Sequence, residues 1–173
     1  MRAYDVNLLL DVATFRGYSM DDNGVLKNAP YTSSSFKWAG AGLVSSVKDL
    51  VRFGNITLYS FQCRKSTATP GYLKPETVTK LWTPVSGTAV SWDTSGRYGM
   101  GWQIVPISES RFCVGHTGGT IGASCALMML PPPQESVTEP PGGVVVAILT
   151  NLQAANLGPV AVRIAKLIDE VDE

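Results

Sequence analysis

Four strand-like stretches in the second half of the chain constrain its fold more than any other feature. They are short runs rich in apolar residues, and they lie at Gly99–Val105, Arg111–Gly115, Ala123–Leu130 and Val144–Thr150. Consecutive short strands with short links favour an antiparallel sheet, because a parallel pair would need a long crossover connection. The sequence therefore predicts an antiparallel meander as the centre of the fold.

Helical patterns on either side of these strands indicate what covers the sheet. Ser46 and Asp49 form an S-x-x-D capping pattern ahead of an apolar stripe, which predicts a helix from about Val47 to Tyr59. A second helix is predicted from Leu73 to Trp82. The C-terminal segment has an amphipathic stripe that we expect to lie on the sheet, formed by Val160, Ile164, Leu167, Ile168 and Val171. The fold class is therefore α+β, an antiparallel sheet covered by helices.

The charge balance and composition exclude several classes of function. The 14 basic and 14 acidic side chains cancel, so we expect no nucleic-acid partner. Three scattered cysteines and one histidine predict no metal site, no cofactor and no disulfide framework. No apolar run approaches the length of about 18 residues that a membrane-spanning helix needs. The first residues lack the charged and apolar regions of a signal peptide, so we expect no targeting segment in this chain.

The segment His116-Thr117-Gly118-Gly119 combines a histidine, a hydroxyl and two glycines between two predicted strands. Glycines at 118, 119 and 122 remove side chains from a sheet edge, so that a substrate could approach the backbone closely. A histidine and a hydroxyl beside them could bind a carboxylate or orient a carbonyl. The same residues would also suit a plain glycine-rich connection with a surface histidine, and so short a motif does not decide between the two.

This segment resembles the third motif of the β-lactamase and penicillin-binding-protein family, in which Lys-Thr-Gly is the more common form. Other stretches resemble that family in the same order along the chain, namely Lys37–Leu43, Ser45–Gly54, Pro70–Thr77, Trp82–Val85 and Tyr98–Trp102. The resemblance implies a partial β-lactamase/transpeptidase-like fold over residues 16–173, preceded by an unmatched segment, residues 1–15. Among family members the chain most resembles the mitochondrial animal ones, which implies a mitochondrial location and a part in regulating lipid metabolism.

Two other motifs of the family are not found in a convincing form. The nucleophile is the serine of an S-x-x-K motif at a helix start, where the lysine aids deprotonation. Two stretches match the S-x-x-K pattern, Ser34–Lys37 and Ser45–Lys48. The first lies in a predicted loop, and the second lies just before an ordinary amphipathic helix. None of the six asparagines follows a Tyr or Ser two residues earlier, as the second motif requires. We therefore expect the chain to begin downstream of both motifs.

The resemblance implies that the complete protein is a serine hydrolase, a peptidase or amidase that forms an acyl-enzyme with a peptide or acyl substrate. One wall of its site would comprise His116, Thr117, Gly118 and Gly119, with the Gly119 N–H as an oxyanion donor. Histidine in place of lysine is largely neutral near pH 7, which suits peptide or ester hydrolysis better than binding a β-lactam carboxylate. The chain alone would then be inactive. The alternative is a non-catalytic assembly or partner module, which could form homo-oligomers.

Overall fold

A five-stranded antiparallel sheet with helices on both faces forms the centre of the molecule, described by a computed structural model. The structure describes residues 2–3, 16–31, 37–41, 43–63, 69–133 and 142–171. In chain order its elements are β1 (Arg2–Ala3), β2 (Tyr18–Met20), β3 (Leu26–Asn28), α1 (Trp38–Ala41), β4 (Leu43–Val44), α2 (Val47–Gln62), α3 (Pro75–Leu81), β5 (Arg97–Tyr98), β6 (Gln103–Pro106), β7 (Phe112–Thr120), β8 (Ala123–Leu130), β9 (Val144–Thr150) and α4 (Leu157–Val171).

The predicted antiparallel sheet is confirmed, with strand order β5-β6-β7-β8-β9. β8 and β9 have the predicted bounds. The predicted strand Gly99–Val105 is wrong, because Gly99–Trp102 forms a turn, with φ +79° at Gly101, that separates β5 from β6. The interpretation of His116-Thr117-Gly118-Gly119 as a connection between strands is also wrong, since β7 continues through all four residues.

The helices α2 and α3 pack on one face of this sheet. α2 begins where its capping pattern predicts, with the Ser46 hydroxyl accepting the Asp49 N–H at 3.1 Å. α3 begins at Pro75, whose fixed φ suits the first helical turn. The buried residues between these helices and the sheet are Leu58, Val78, Trp82, Ile104, Val114 and Met129. This layer covers the face of the sheet that also carries His116 and Gly118.

The C-terminal helix α4 covers the opposite face of the sheet, but the side of α4 that contacts the sheet is not the predicted one. Its fully buried residues Ala161 and Ala165 pack with Gly158 against β8 and β9. The stripe expected to be buried is exposed instead, at Val160, Ile164, Leu167, Ile168 and Val171. Small side chains let the helix approach the sheet closely, and the large apolar ones therefore face outward.

The β2–β3 hairpin supports the turn that joins β7 to β8. The sequence Asp22-Asn23-Gly24 predicts a tight turn, and the structure has one, in which the Asp21 carboxylate accepts the N–H groups of Asn23 and Val25. Gly17, just before β2, lies so close to Gly122 that a Cβ added to Gly17 would be 2.6 Å from the Gly122 Cα. Of the unmatched segment, residues 1–15, the structure describes only Arg2 and Ala3, which form β1.

Candidate functional site

The four candidate residues lie on the half of β7 that has one strand neighbour. β7 pairs with β8 from Val114 to Thr120, but with β6 only from Phe112 to Gly115. Among the described residues, no strand pairs with the other edge of β7 from His116 to Thr120. The sequence motif and an open edge of a central strand therefore coincide, and an open edge presents unpaired N–H and C=O groups.

His116 is exposed on the face of β7 that also carries Gly118. Its ring meets the Tyr98 ring edge-on, with centroids 5.7 Å apart. Its Nδ1 contacts the carbonyl oxygen of Thr117. Because a carbonyl only accepts, a hydrogen bond here is donated by Nδ1, and Nε2 is the second ring nitrogen. The histidine is thus held against the strand with one nitrogen open to a ligand.

Thr117 points to the opposite face, where a buried amide holds it. Gln103 is 2% exposed, and its Nε2 donates to the Thr117 hydroxyl at 3.2 Å and to the Tyr98 hydroxyl at 2.9 Å. Its Oε1 accepts the indole N–H of Trp92 at 3.0 Å. A buried amide with all these partners is rigid, because losing any of them would leave a polar atom unsatisfied. Gln103 therefore connects Thr117 to the residue that touches His116.

The two glycines of the motif have different surroundings. A Cβ added to Gly118 would lie 2.7 Å from the Cys125 Sγ on β8, whereas a Cβ added to Gly119 would meet nothing within 4 Å. The pKa of the Cys125 thiol is raised because burial disfavours the thiolate, and a hydrogen bond with the Gly118 backbone opposes that shift in part. Gly118 thus borders a neighbouring strand, while Gly119 borders open space.

The turn after the motif is anchored on both sides. Gly122 has φ +78°, which favours glycine, and its N–H donates to Gln153 at 3.2 Å. The buried Ser124 hydroxyl donates to the Leu152 carbonyl at 2.8 Å and accepts the Ala155 N–H at 3.0 Å. These contacts connect the end of the β7–β8 hairpin to the segment before α4. Hydrogen bonds therefore anchor the hairpin that carries the open edge of β7.

The described ranges hold neither a metal-binding cluster nor a membrane-spanning helix. No group of three or more His, Cys, Asp or Glu side chains within them is arranged to hold a metal ion. None of the helices in those ranges has the length and apolar character to cross a bilayer.

The structure also locates one of the two serines that fit S-x-x-K. Ser45 immediately precedes the capping Ser46, and its hydroxyl donates to the Ser46 carbonyl at 3.3 Å. Lys48 is exposed in the first turn of α2. Ser34 lies outside the described residues. Ser45 therefore contributes to the start of a helix, as the sequence context suggests.

Sequence analysis missed Gln103, Trp92 and Tyr98 as parts of this site. Tyr98 was named only within a stretch that resembles the family, and Gln103 lay only within a predicted strand. The available signal was a polar side chain, Gln103, beside Ile104 and Val105 in a buried strand, since a buried amide must find partners.

Comparison with known proteins gives a consistent result. A family model described as Beta-lactamase matches residues 11–168. The serine beta-lactamase-like protein LACTB, mitochondrial, of Homo sapiens and that of Mus musculus are each 39% identical over 171 residues, which cover 90% of this chain and 31% of the relative. The chain thus spans about a third of the length of the curated relatives that it matches.

The fold has also been seen in a solved structure. A D-stereospecific amidohydrolase from Streptomyces sp. superposes with a TM-score of 0.57 over 87% of this chain and 38% of the other, at 19% identity. At that identity the likeness concerns the fold alone. With the family model matching nearly the whole sequence, this chain belongs to the β-lactamase family.

Proposed function

We propose that this chain is the C-terminal part of a mitochondrial serine hydrolase and forms one wall of its active site. The substrate is a peptide or acyl compound, and the reaction proceeds through an acyl-enzyme. The nucleophilic serine and its lysine come from a part of the complete protein that precedes this chain. The mitochondrial names of the relatives support the location, and their length supports the proposed missing part.

The open edge of β7 is the observation that carries this proposal. Successive residues of a strand direct their N–H and C=O groups to alternate edges. The contact between the His116 ring and the Thr117 carbonyl supports Thr117, and two residues on Gly119, as the residues whose backbone groups face the unpaired edge.

This edge suits an acyl group that gains negative charge during the reaction. The Gly119 N–H can donate to the developing oxyanion, and removing one such donor typically costs about 3 kcal/mol of barrier stabilisation. The absence of a side chain at Gly119 leaves room for the substrate. Nε2 of His116 and the Thr117 hydroxyl lie beside it on opposite faces. Both groups can orient an amide or ester through hydrogen bonds.

A chimera tests the proposal. Residues 16–171 of this chain replace the aligned part of the human relative, and hydrolysis of peptide p-nitroanilides and acyl esters is measured. We expect turnover, and we expect Gly119→Val to lower kcat/KM by about ten- to a thousand-fold because the oxyanion donor is obstructed. The control is Gly40→Ala, which also adds a side chain in open space and should leave kcat/KM unchanged. A fully active Gly119→Val chimera would refute the role of the motif.

The chain on its own should lack acyl-enzyme chemistry. Incubation with a fluorophosphonate probe should leave the intact mass unchanged, because neither Ser34 nor Ser45 is a catalytic serine on this proposal. Stoichiometric labelling of any serine would contradict it.

A second candidate function is a non-catalytic assembly module. One specific observation favours it, namely the large apolar stripe that α4 leaves exposed.

A further inference from the structure

The buried amide of Gln103 has a single orientation, because one of its neighbours can only donate. Trp92 carries an indole N–H and no acceptor, and this N–H donates to the Gln103 Oε1 at 3.0 Å. The amide nitrogen then faces two hydroxyls, and its N–H groups donate to Tyr98 at 2.9 Å and to Thr117 at 3.2 Å. Turning the amide over would place its N–H groups against the indole N–H and leave donors unsatisfied.

This orientation fixes the direction of the hydrogen bond at Thr117. A hydroxyl has one proton to donate, and an oxygen that accepts from Gln103 keeps that proton for another partner. The alternative, donation from Thr117 to the Gln103 Oε1, spans 3.5 Å and competes with the shorter bond that this oxygen accepts from Trp92. Thr117 is partly exposed and lies on the unpaired half of β7. Its hydroxyl proton can therefore be donated to a ligand at that edge.

The spacing along β7 indicates which part of a substrate would accept this proton. Thr117 and Gly119 are two residues apart on one strand, which corresponds to about 7 Å. On the proposed function, the Gly119 N–H binds the carbonyl oxygen of the scissile bond. In an extended peptide, carbonyl groups two residues apart point to the same side, also about 7 Å from each other. A peptide can therefore reach both groups, whereas a simple ester has no second carbonyl to offer.

We propose that Gln103 is a positioning residue for peptide substrates, because it directs the Thr117 hydroxyl to donate to a second carbonyl oxygen of the substrate. This inference rests on the proposed function, since it requires the Gly119 N–H at the scissile bond. Gln103 is 2% exposed and acts through Thr117 rather than by touching the substrate. The hydrogen bond forms away from the reacting atoms, so it strengthens substrate binding and transition-state binding equally and lowers KM without raising kcat.

Kinetics of the chimera with two substrates test the proposal. An internally quenched peptide has carbonyl groups on both sides of its scissile bond, and phenyl acetate has only the carbonyl that is cleaved. Gln103→Glu keeps the size of the side chain and still accepts the Trp92 N–H, but it has no N–H to donate to Thr117. We expect the KM for the peptide to rise by about three- to tenfold with little change in kcat. Both constants for phenyl acetate should stay unchanged.

A double-variant cycle tests whether Gln103 acts through Thr117. Thr117→Val removes the hydroxyl and should raise the KM for the peptide by a similar factor, and Gln103→Glu should add little in that background. Thr117→Ser keeps a hydroxyl and should bind the peptide much better than Thr117→Val does. The control is Asn23→Asp, which makes the same amide-to-carboxylate exchange on the exposed β2–β3 turn and should leave the kinetics of both substrates unaffected.

Neutron diffraction from deuterated crystals of this chain tests the direction of the hydrogen bond without using activity. We expect the amide deuterons of Gln103 to point at the Tyr98 and Thr117 oxygens. The hydroxyl deuteron of Thr117 should point away from Gln103. A Thr117 deuteron directed at the Gln103 Oε1 would overturn the proposal, because that proton could not then be donated to a substrate.

The kinetic outcomes separate this inference from the proposed function. A wild-type chimera that hydrolyses neither substrate refutes the proposed function, and with it the role of Thr117 toward a substrate. An active chimera in which Gln103→Glu lowers kcat for both substrates overturns this inference alone, because Gln103 would then support the whole site rather than one hydrogen bond. Additive effects of Gln103→Glu and Thr117→Val on KM overturn it as well, since the two residues would then act separately.

Discussion

The adjacent glycines Gly118 and Gly119 have different roles although they are the same type of residue. The sequence motif treats them alike. In the structure, a side chain at Gly118 would meet Cys125 on the next strand, whereas one at Gly119 would extend into open space. Gly118 variants therefore change the sheet as well as any cleft, and Gly119 is the better position at which to test substrate approach.

Gly118→Ala should lower the free energy of unfolding by about 1–3 kcal/mol, the usual cost of overpacking. The added Cβ would be 2.7 Å from the Cys125 Sγ, so the thiol would have to leave the position in which it bonds the Gly118 backbone. Urea denaturation measures the change. Gly119→Ala is the matched control and should differ from wild type by less than about 0.5 kcal/mol. The double variant Gly118→Ala/Cys125→Ala should recover most of the loss, and strict additivity would contradict this account.

Gln103→Leu should destabilise the protein by about 2–4 kcal/mol, although the two side chains have similar size. The substitution leaves the buried indole N–H of Trp92 without its acceptor and removes donors to Tyr98 and Thr117. Urea unfolding followed by circular dichroism measures the loss. Gln153→Leu, which removes one exposed side chain's bond to the Gly122 N–H, should cost less than about 1 kcal/mol. Equal losses of unfolding free energy in the two variants would be evidence against Gln103 as the centre of a buried hydrogen-bond network.

At the scale of secondary-structure elements, the pattern of apolar residues and the helix-capping pattern predicted the bounds of strands and helices better than the glycine-rich segments did. β8 and β9 were predicted with their observed bounds because each is an apolar run, in which buried residues alternate with partly buried ones over most of its length. β7 was predicted too short because glycines carry no side chain to continue the pattern. The helical period of the apolar residues predicted α4 as a helix, but it assigned the wrong side of that helix to the contact with the sheet. Hydropathy ranks leucine and isoleucine above alanine, whereas close helix–sheet packing favours the smaller residue.

Gly158→Ala illustrates how packing can reverse a propensity. Alanine is favoured over glycine in a helix by about 1 kcal/mol, and α4 contains Gly158. The added Cβ would nevertheless lie 2.4 Å from the Trp92 indole, which Gln103 holds in place. We expect a loss of at least about 1 kcal/mol. Gly40→Ala in α1, with nothing within 4 Å, should be neutral or stabilising. Thermal melting of both variants gives the comparison, and stabilisation by Gly158→Ala would show that α4 can move away from Trp92.

At the scale of the whole molecule, the sequence predicted the architecture and the family more readily than the site. The family model and the antiparallel sheet agree with expectation. The division at residues 15 and 16 and the inactivity of the chain alone remain predictions. The network around Gln103 could not be predicted, because it joins Trp92, Tyr98 and Thr117 through tertiary contacts that no local pattern records.

Cooperative unfolding should become easier at high pH because of one buried thiol. Burial raises the pKa of Cys113 to about 12 from an ordinary value of 9.0, and the nearby Lys166 and Arg111 offset only part of this rise. Above pH 9 the unfolded chain loses the Cys113 proton while the folded chain keeps it. The unfolded state then binds fewer protons, so the free energy of unfolding falls between pH 9 and about 12.

Comparing wild type with Cys113→Ala isolates this effect from the titration of other groups. The variant is less stable at pH 8 because it leaves a cavity in the buried cluster that Cys113 shares with Met128, Leu130 and Ala165. Since it has no thiol to titrate, the wild-type advantage should shrink by about 1.4 kcal/mol between pH 8 and pH 10. Urea denaturation at pH 8, 9 and 10 measures the difference. Cys125→Ala should give a smaller pH-dependent change, because Cys125 is only partly buried. A wild-type advantage that stays constant over this range would mean that the Cys113 thiol ionises in the folded protein, and that α4 does not seal this side of the sheet.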